Sequence, residues 1–219
     1  MSQAFLAVLA EPGHLVTVSE FHDWYDNEHI PLRLDHLSTF LTCARFCAVD
    51  DKSPSWLALY DVADLSAFQH ESYTRLRATR SEREANLVGR LSMLDRRTCE
   101  VVWDSGESTK ATSLRVEAPS KFVVTHGLER ATTEDAVSWA EGAVKRLKEM
   151  VTDDGDWVRT RVFKCVDALR AGVAVLPGHE AQKTSPFFVL HGTYIYASFL
   201  SVLIQVFRIR FWPHGCAAS

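Results

Sequence analysis

The sequence predicts an α+β fold built from two ferredoxin-like units, each with the element order β-α-β-β-α-β. One observation is that strand-type and helix-type segments follow this order through the first half of the chain. A second is that the same order begins again after a polar stretch at residues 105–120. A third is an equal spacing: Phe5 and Phe46 lie 41 positions apart, as do Phe122 and Phe163, which indicates an internal repeat.

The first unit begins with a strand at residues 5–10, because the apolar run there is followed by Pro12 and a glycine. A helix follows from Thr17, whose side chain can cap it. Pro31 disfavours helical geometry at the preceding residue, so the helix is expected to end near His29. Further along, the sequence predicts strands at residues 40–49, 56–62 and 93–103, and a helix at residues 64–91 whose Arg75, Arg77, Arg80, Arg83 and Glu84 face solvent.

The second unit is expected to be divergent or incomplete at its C-terminal end. It starts as the first does, with a strand at residues 122–126, a helix at 132–151 and strands at 157–166 and 187–191. The long charged helix that should follow is missing from the pattern, because residues 185–207 contain no formally charged residue. Their length would permit a membrane span, but interspersed polar residues favour a buried strand or helix, with an unusual or non-native tail as a third interpretation. The predicted division is residues 1–104 for the first unit, which carries the candidate site, 105–120 for a linker and 121–219 for the second unit.

Composition and charge exclude some classes of function. The net charge of −4 and the pI of about 6.1 indicate no basic surface of the kind that binds nucleic acid. Five cysteines without a C-x-x-C pair argue against both a disulfide framework and a zinc site. The N-terminus lacks the basic and apolar regions of a signal peptide, so a cytoplasmic protein is expected.

One segment, residues 21–33, carries the chemically active side chains. An amphipathic helix normally keeps its buried stripe apolar, yet here Glu28 and His29 share that stripe. Because burying such groups alone is costly, they require partners or a cavity, and an aromatic cavity with a few polar groups is typical of small-molecule sites. A helix C-terminus favours the protonated imidazole, so His29 could exchange a proton near neutral pH, with Tyr25 as a second proton donor. The residues at helical spacing on this stripe are Phe21, Trp24, Tyr25, Glu28, His29 and Leu32.

Other interpretations of this region stay open at the level of sequence. Polar groups on an inward face are often satisfied core residues. Tyr60 lies on a strand and points to the opposite face from its leucine neighbours, so it is either a core tyrosine or part of the same cavity. The spacing of His22, Asp26 and His29 is not a specific ligand pattern, so no metal is expected.

The run Trp24-Tyr25-x-x-Glu28-His29-x-Pro31-Leu32-Arg33 resembles the EthD-like family of dimeric α+β-barrel proteins, particularly its fungal two-repeat members. Residues 56–61 and 90–97 are similar to the same family, and the resemblance extends over residues 4–103 and, more loosely, 120–190. It implies a ferredoxin-like barrel whose eight strands close within one chain or between the two chains of a homodimer. The second unit lacks the Glu-His-x-Pro segment, so the resemblance implies a single site.

The resemblance also implies a function. Family members and their relatives act without a cofactor on aromatic or polyketide-like molecules, as cyclases, dehydratases, isomerases or decarboxylases. One member accompanies an oxygenase system, so oxidoreductase labels have followed the family, and the second hypothesis is a non-catalytic binding or accessory protein. A membrane-tethered form is the third, although neither a membrane nor nucleic acid is an expected partner. In the first hypothesis His29 is the acid/base residue with Glu28 and Tyr25 as catalytic partners, and the substrate is bound by Phe21, Trp24, Leu32 and Tyr60.

Overall fold

The computed structural model describes residues 3–106, 120–150, 157–193 and 205–209. Eight strands are present in this part of the chain: β1 (Ala4–Glu11), β2 (Phe40–Ala48), β3 (Trp56–Val62), β4 (Met93–Asp104), β5 (Phe122–Leu128), β6 (Trp157–Ala171), β7 (Phe187–Thr193) and β8 (Gln205–Ile209). The α-helices are α1 (Val18–Trp24), α2 (Pro31–Leu34), α3 (Glu71–Ala78), α4 (Glu82–Arg90) and α5 (Thr133–Met150). Short 3₁₀ turns lie at Leu65–Phe68 and His179–Gln182.

The eight strands form one closed antiparallel barrel in the order β1-β3-β2-β8-β5-β7-β6-β4. Strand β4 pairs with β1 on one side and β6 on the other, so the barrel closes within a single chain. The order β4-β1-β3-β2 in the first half has the same form as β8-β5-β7-β6 in the second. The α+β class and the barrel are thus confirmed, while the internal repeat and the boundaries of the two units stay predictions.

The helix that carries the candidate site does not end near His29. Tyr25–His29 form one π-helical turn, in which the Ile30 amide donates to the Tyr25 carbonyl at 3.1 Å, and α2 then continues the helical path. Ile30 itself has helical geometry, with φ −77° and ψ −46°. The expectation that Pro31 would break the helix was wrong, because the wider turn accommodates a residue that has no amide hydrogen to donate.

The charged segment at residues 64–91 is not one continuous helix. Helix α3 ends at Ala78 and α4 begins at Glu82, with Ser81 as its N-cap, whose Oγ accepts a hydrogen bond from the Glu84 amide at 2.9 Å. A serine hydroxyl satisfies a backbone donor at the start of a helix, which explains why a new helix begins here. The break turns the first residues of α4 toward the segment around His29.

Apolar side chains pack in three layers. Alternate residues of the strands fill the barrel interior, where the rings of Phe5 and Phe163 stack with centroids 4.0 Å apart. The other face of β1 and β3 packs against α1, α3 and α4, and α5 covers the outer face of the second half. Period-two alternation therefore gives β1 and β3 two buried faces. Leu57 and Leu59 point into the barrel and Tyr60 points to the helices, as the alternation predicted.

The apolar C-terminal segment at residues 185–207 is described only in part. Its beginning forms β7, a fully buried barrel strand, and its end enters β8. Residues 194–204 and 210–219 lie outside the described residues, so the prediction of an atypical C-terminal tail also lies outside them. Within the described ranges, no helix is long and apolar enough to cross a membrane.

Candidate active site between the helices and the sheet

A pocket of about 530 Å³, open mouth included, lies between the helices of the first half and the outer face of the sheet. Its floor comes from outward-facing residues of β1, β4 and β6, and its walls come from the π-helical turn, α2, α3 and α4. The lining combines an apolar and aromatic surface with five charged side chains and His29. The lining residues are Leu6, Val8, Trp24, Tyr25, His29, Arg33, Tyr73, Arg77, Arg80, Glu84, Val88, Leu94, Arg96 and Leu169.

His29 and Glu84 form a buried pair in this pocket. The imidazole Nδ1 lies 3.2 Å from the Glu84 carboxylate Oε1, and the two side chains are 12% and 6% exposed. Because a carboxylate accepts hydrogen bonds, Nδ1 of a neutral imidazole carries the proton and donates it to Glu84. The lone pair of the ring is then on Nε2, and Nε2 has no hydrogen-bond partner within the described part of the chain. The pair therefore presents a proton acceptor that is held in one tautomer.

Burial decides the charge states of this pair. It lowers the pKa of His29 to about 3, and the positive charge of Arg33 acts in the same direction against the opposing effect of Glu84. Burial alone would raise the pKa of Glu84, but the hydrogen bond from His29 and the charges of Arg33 and Arg80 outweigh it, so this pKa is lowered. At neutral pH the pair is thus a neutral imidazole beside an ionised carboxylate.

Aromatic rings hold His29 in place. The imidazole lies 4.5 Å from the nearer ring centroid of Trp24 and 5.0 Å from that of Tyr25. Burial raises the pKa of Tyr25 to about 12, so its phenol stays protonated, and the Arg45 guanidinium lies 4.2 Å from its ring centroid. The indole Nε1 of Trp24 is buried and has no hydrogen-bond partner among the described residues. A buried donor without an acceptor is uncommon and costly, so a ligand acceptor would satisfy it.

The charges around the pocket are mostly positive. Four arginines line it, whereas Glu84 is the one carboxylate in the lining. Arg33 is buried and donates from Nη1 to the His29 carbonyl oxygen at 2.6 Å, so it both fixes the π-helical turn and places a cation beside the imidazole. The pocket therefore favours anions or groups that become anionic during a reaction.

The residues predicted from sequence do not all meet at this pocket. His29, Tyr25 and Trp24 line it. Phe21 is fully buried next to Trp24, and Tyr60 is fully buried in the same core layer, where its hydroxyl has no hydrogen-bond partner among the described residues. The side chains outside the lining are Phe21, Glu28, Leu32 and Tyr60.

Glu28 was expected to support His29, but its carboxylate points elsewhere. It accepts a hydrogen bond from the Ser81 hydroxyl and lies 3.8 Å from the Arg83 guanidinium. The carboxylate that contacts the imidazole belongs to Glu84, which was expected to face solvent and is instead 4% exposed. A signal for this was present in the sequence, because Glu84 shares its helical stripe with Leu87.

Two histidines, one partly and one fully buried, contact each other outside this pocket, under α5. Nε2 of His126 and Nε2 of His191 are 3.2 Å apart, and Nδ1 of His191 lies 2.8 Å from the Thr160 hydroxyl. Since Nδ1 of His126 must donate to the Gly127 carbonyl at 2.9 Å, the chain runs from Thr160 through both rings with every group satisfied. Burial, followed by the His126 neighbour, lowers the pKa of His191 to about 3. Within the described ranges, no three His, Cys, Asp or Glu side chains gather as a metal site requires.

Comparison with solved structures agrees with an α+β-barrel architecture. The structure is similar to that of an anthrone oxidase-like protein, with a TM-score of 0.53 at 9% identity over 100% of this chain and 96% of that one. Candidate monooxygenases of Fusobacterium nucleatum and Lactobacillus acidophilus give TM-scores of 0.45 and 0.44, each at 9% identity, covering 96% and 89% of this chain and 93% and 78% of theirs. No protein-family model and no curated protein matches the sequence. At such low identity, the likeness to the first of these structures establishes the fold alone.

Proposed function

We propose that this protein is a small-molecule enzyme of the EthD-like type that performs acid/base chemistry on a phenolic or polyketide-like substrate. The observation that carries this proposal is the His29–Glu84 pair in an aromatic pocket, where Nδ1 contacts the carboxylate and Nε2 has no hydrogen-bond partner among the described residues. A histidine held in one tautomer by a carboxylate is a recurrent proton-transfer arrangement. The chemistry requires only the side chains and the substrate.

In the proposed reaction Nε2 of His29 accepts a proton from a phenolic hydroxyl or an acidic carbon of the substrate. The imidazolium that forms lies against the ionised Glu84, which offsets part of the cost of a buried positive charge. The developing phenolate or enolate faces a pocket rich in guanidinium groups, which stabilise negative charge as it appears. Return of the proton to another atom of the same substrate would complete an isomerisation or cyclisation. Delivery of the proton to a substrate hydroxyl, whose carbon–oxygen bond then breaks to release water, would complete a dehydration.

Tyr25 and Trp24 shape the pocket in this proposal. The Tyr25 phenol remains a donor because its pKa is about 12, so it can donate to a substrate oxygen without titrating near neutral pH. The unpaired indole Nε1–H of Trp24 is a second donor for such an oxygen. The aromatic faces offer stacking surface to planar substrate rings.

A second candidate function is favoured by the low pKa of His29. A conjugate acid with a pKa of about 3 makes the imidazole a weak base until a substrate raises it. An accessory protein that holds an aromatic ligand for an oxygenase system would need the same pocket and no proton transfer. The two functions differ in whether bound ligand is converted.

Turnover tests the first function directly. The purified chain is incubated with phenols, anthrones and short aromatic polyketides, and products are followed by liquid chromatography and mass spectrometry. We expect His29→Ala to lower the rate by about 100-fold or more, because this variant has lost the base. Glu84→Gln should lower the rate by about tenfold, because it keeps the imidazole and loses only the carboxylate that orients it. Glu82→Gln, on the same helix and exposed, is the matched control and retains full activity.

Retained turnover in His29→Ala would exclude this residue as the base. Binding of ligands that are recovered unchanged with every variant, together with a cooperatively folded wild type, would support the accessory function instead.

A further inference from the structure

Two of the arginines in the pocket form no close ion pair with a carboxylate among the described residues, although Glu84 and Asp167 act on them at longer range. Arg77, on α3, is half-buried and forms no ion pair with a carboxylate within 4.0 Å among the described residues. Arg33 is buried with a carbonyl oxygen as its partner rather than a carboxylate. A buried guanidinium without an anion costs free energy.

Arg96, on β4, brings a third guanidinium to the same place. Its Nη2 donates to Asp167 at 2.6 Å, but its Nε is buried and has no acceptor among the described residues. Arg77 and Arg96 are close enough that the charge of Arg96, after burial, helps to lower the pKa of Arg77. The charge of Asp167 opposes this effect, but burial and the neighbouring arginines outweigh it and the pKa of Arg77 is still lowered, so a ligand anion beside both guanidinium groups would be favourable.

The surroundings of these guanidinium groups are apolar. Leu6 and Val8 of β1, Leu94 of β4 and Leu169 of β6 form the floor of the pocket, and Arg96 and Leu169 are cross-strand partners. A ligand that satisfies both parts of the site must combine a planar apolar body with at least one anionic group. Arginine favours carboxylate because its planar fork can donate two parallel hydrogen bonds.

We propose that the pocket binds an aromatic carboxylate, with the rings on the apolar floor and the carboxylate on Arg77 and Arg96. This inference rests on the proposed function, since it names the substrate class of the same pocket. His29 and Glu84 line the same pocket from the π-helical turn and α4, so in this proposal the carboxylate is the anchor and the proton transfer takes place at another part of the substrate.

Binding of matched probe pairs tests this assignment. Salicylate, 1-hydroxy-2-naphthoate and anthracene-2-carboxylate are each compared with the corresponding neutral carboxamide by isothermal titration calorimetry at low and high salt. We expect at least one carboxylate to bind about tenfold or more tightly than its amide, because a charge-assisted hydrogen bond is lost in the amide. The preference should decrease at high salt.

Two arginine variants on the same helix give the decisive comparison. Arg77→Gln should remove most of the preference for carboxylate, whereas Arg75→Gln, which is exposed and outside the pocket lining, should preserve it. The melting temperature of each variant verifies that it is folded.

The assignment is overturned if no carboxylate in the panel binds more tightly than its amide. It is also overturned if Arg75→Gln and Arg77→Gln weaken the preference equally, because the effect would then be one of net charge. Neither result bears on His29, whose role is judged by turnover. Loss of the proposed function would conversely leave the carboxylate preference measurable.

Discussion

The charge state of His29 supports a prediction that needs no knowledge of the substrate. With a pKa of about 3, only about 1% of His29 should be protonated at pH 5, against about 97% of a histidine with the ordinary value of 6.5. The difference corresponds to about 5 kcal/mol in favour of the neutral imidazole. It arises from burial first and from the charge of Arg33 second, and Glu84 opposes both.

Two substitutions should move this pKa in opposite directions. Arg33→Gln removes a positive charge next to the imidazole, so the pKa of His29 should rise. Glu84→Gln removes the carboxylate that favours the imidazolium, so the pKa should fall further. The opposite signs separate a specific electrostatic effect from a general loosening of the structure, which would raise the pKa in both variants.

Nitrogen-15 NMR of labelled protein measures the titration, and the His29 signals are assigned by their loss in His29→Gln. The ring should show a protonated Nδ1 and an unprotonated Nε2 from pH 8 to below pH 5. A midpoint near 6.5 in the wild type, or a shift of both variants in the same direction, would refute the reasoning.

Two further predictions concern stability. In the folded protein His29 and His191 stay neutral down to about pH 3, whereas in the unfolded chain they become protonated below about pH 6.5. Their contribution to the free energy of unfolding should therefore be greatest above pH 6.5 and should decrease as the pH falls toward 3. Between pH 7 and pH 5 the loss should be about 2 kcal/mol for each of these two histidines, so urea unfolding at both pH values should show a loss in His191→Phe that is smaller than that of the wild type by about 2 kcal/mol. An equal loss in that variant would contradict the assignment. Gly172 has φ +135°, and a Cβ there would lie 2.4 Å from the Ser92 carbonyl oxygen, so Gly172→Ala should destabilise the protein by about 1–3 kcal/mol. Gly89→Ala, on α4 with nothing within 4 Å, should instead stabilise it by about 0.5–1 kcal/mol, and thermal melts that show the two variants alike would refute this account.

Local patterns in the sequence determined the elements of the fold and their order. A continuous apolar run located β1, because both faces of that strand are buried and apolar residues are therefore needed at successive positions. The stripe that contains His29 identified the segment of interest because an ionisable group among buried residues must be accommodated. These inferences depend only on neighbours within one element.

Tertiary structure decided which groups meet. Glu84 lies 55 positions from His29 in the sequence, and its side chain reaches the imidazole because the chain breaks at Ser81 and starts α4 there. Glu28, adjacent to His29 in the sequence, points to Ser81 and Arg83 instead. Adjacent residues on a helix project in directions about 100° apart, so sequence proximity did not place these two side chains in one site.

The positive character of the pocket also depends on the assembled barrel. Arg96 on β4 and Leu169 on β6 become neighbours because the first half of the chain pairs with the second at this edge. The strand β6 extends to Ala171, past the predicted end at residue 166, and this extension supplies Leu169 to the pocket. The sequence by itself therefore determined most of the strands, the approximate positions of the helices and the choice of His29 as a candidate residue. Long-range pairing and burial decided which carboxylate contacts His29, why its pKa is low and why four arginines line the same pocket. A local sequence pattern does not encode these features.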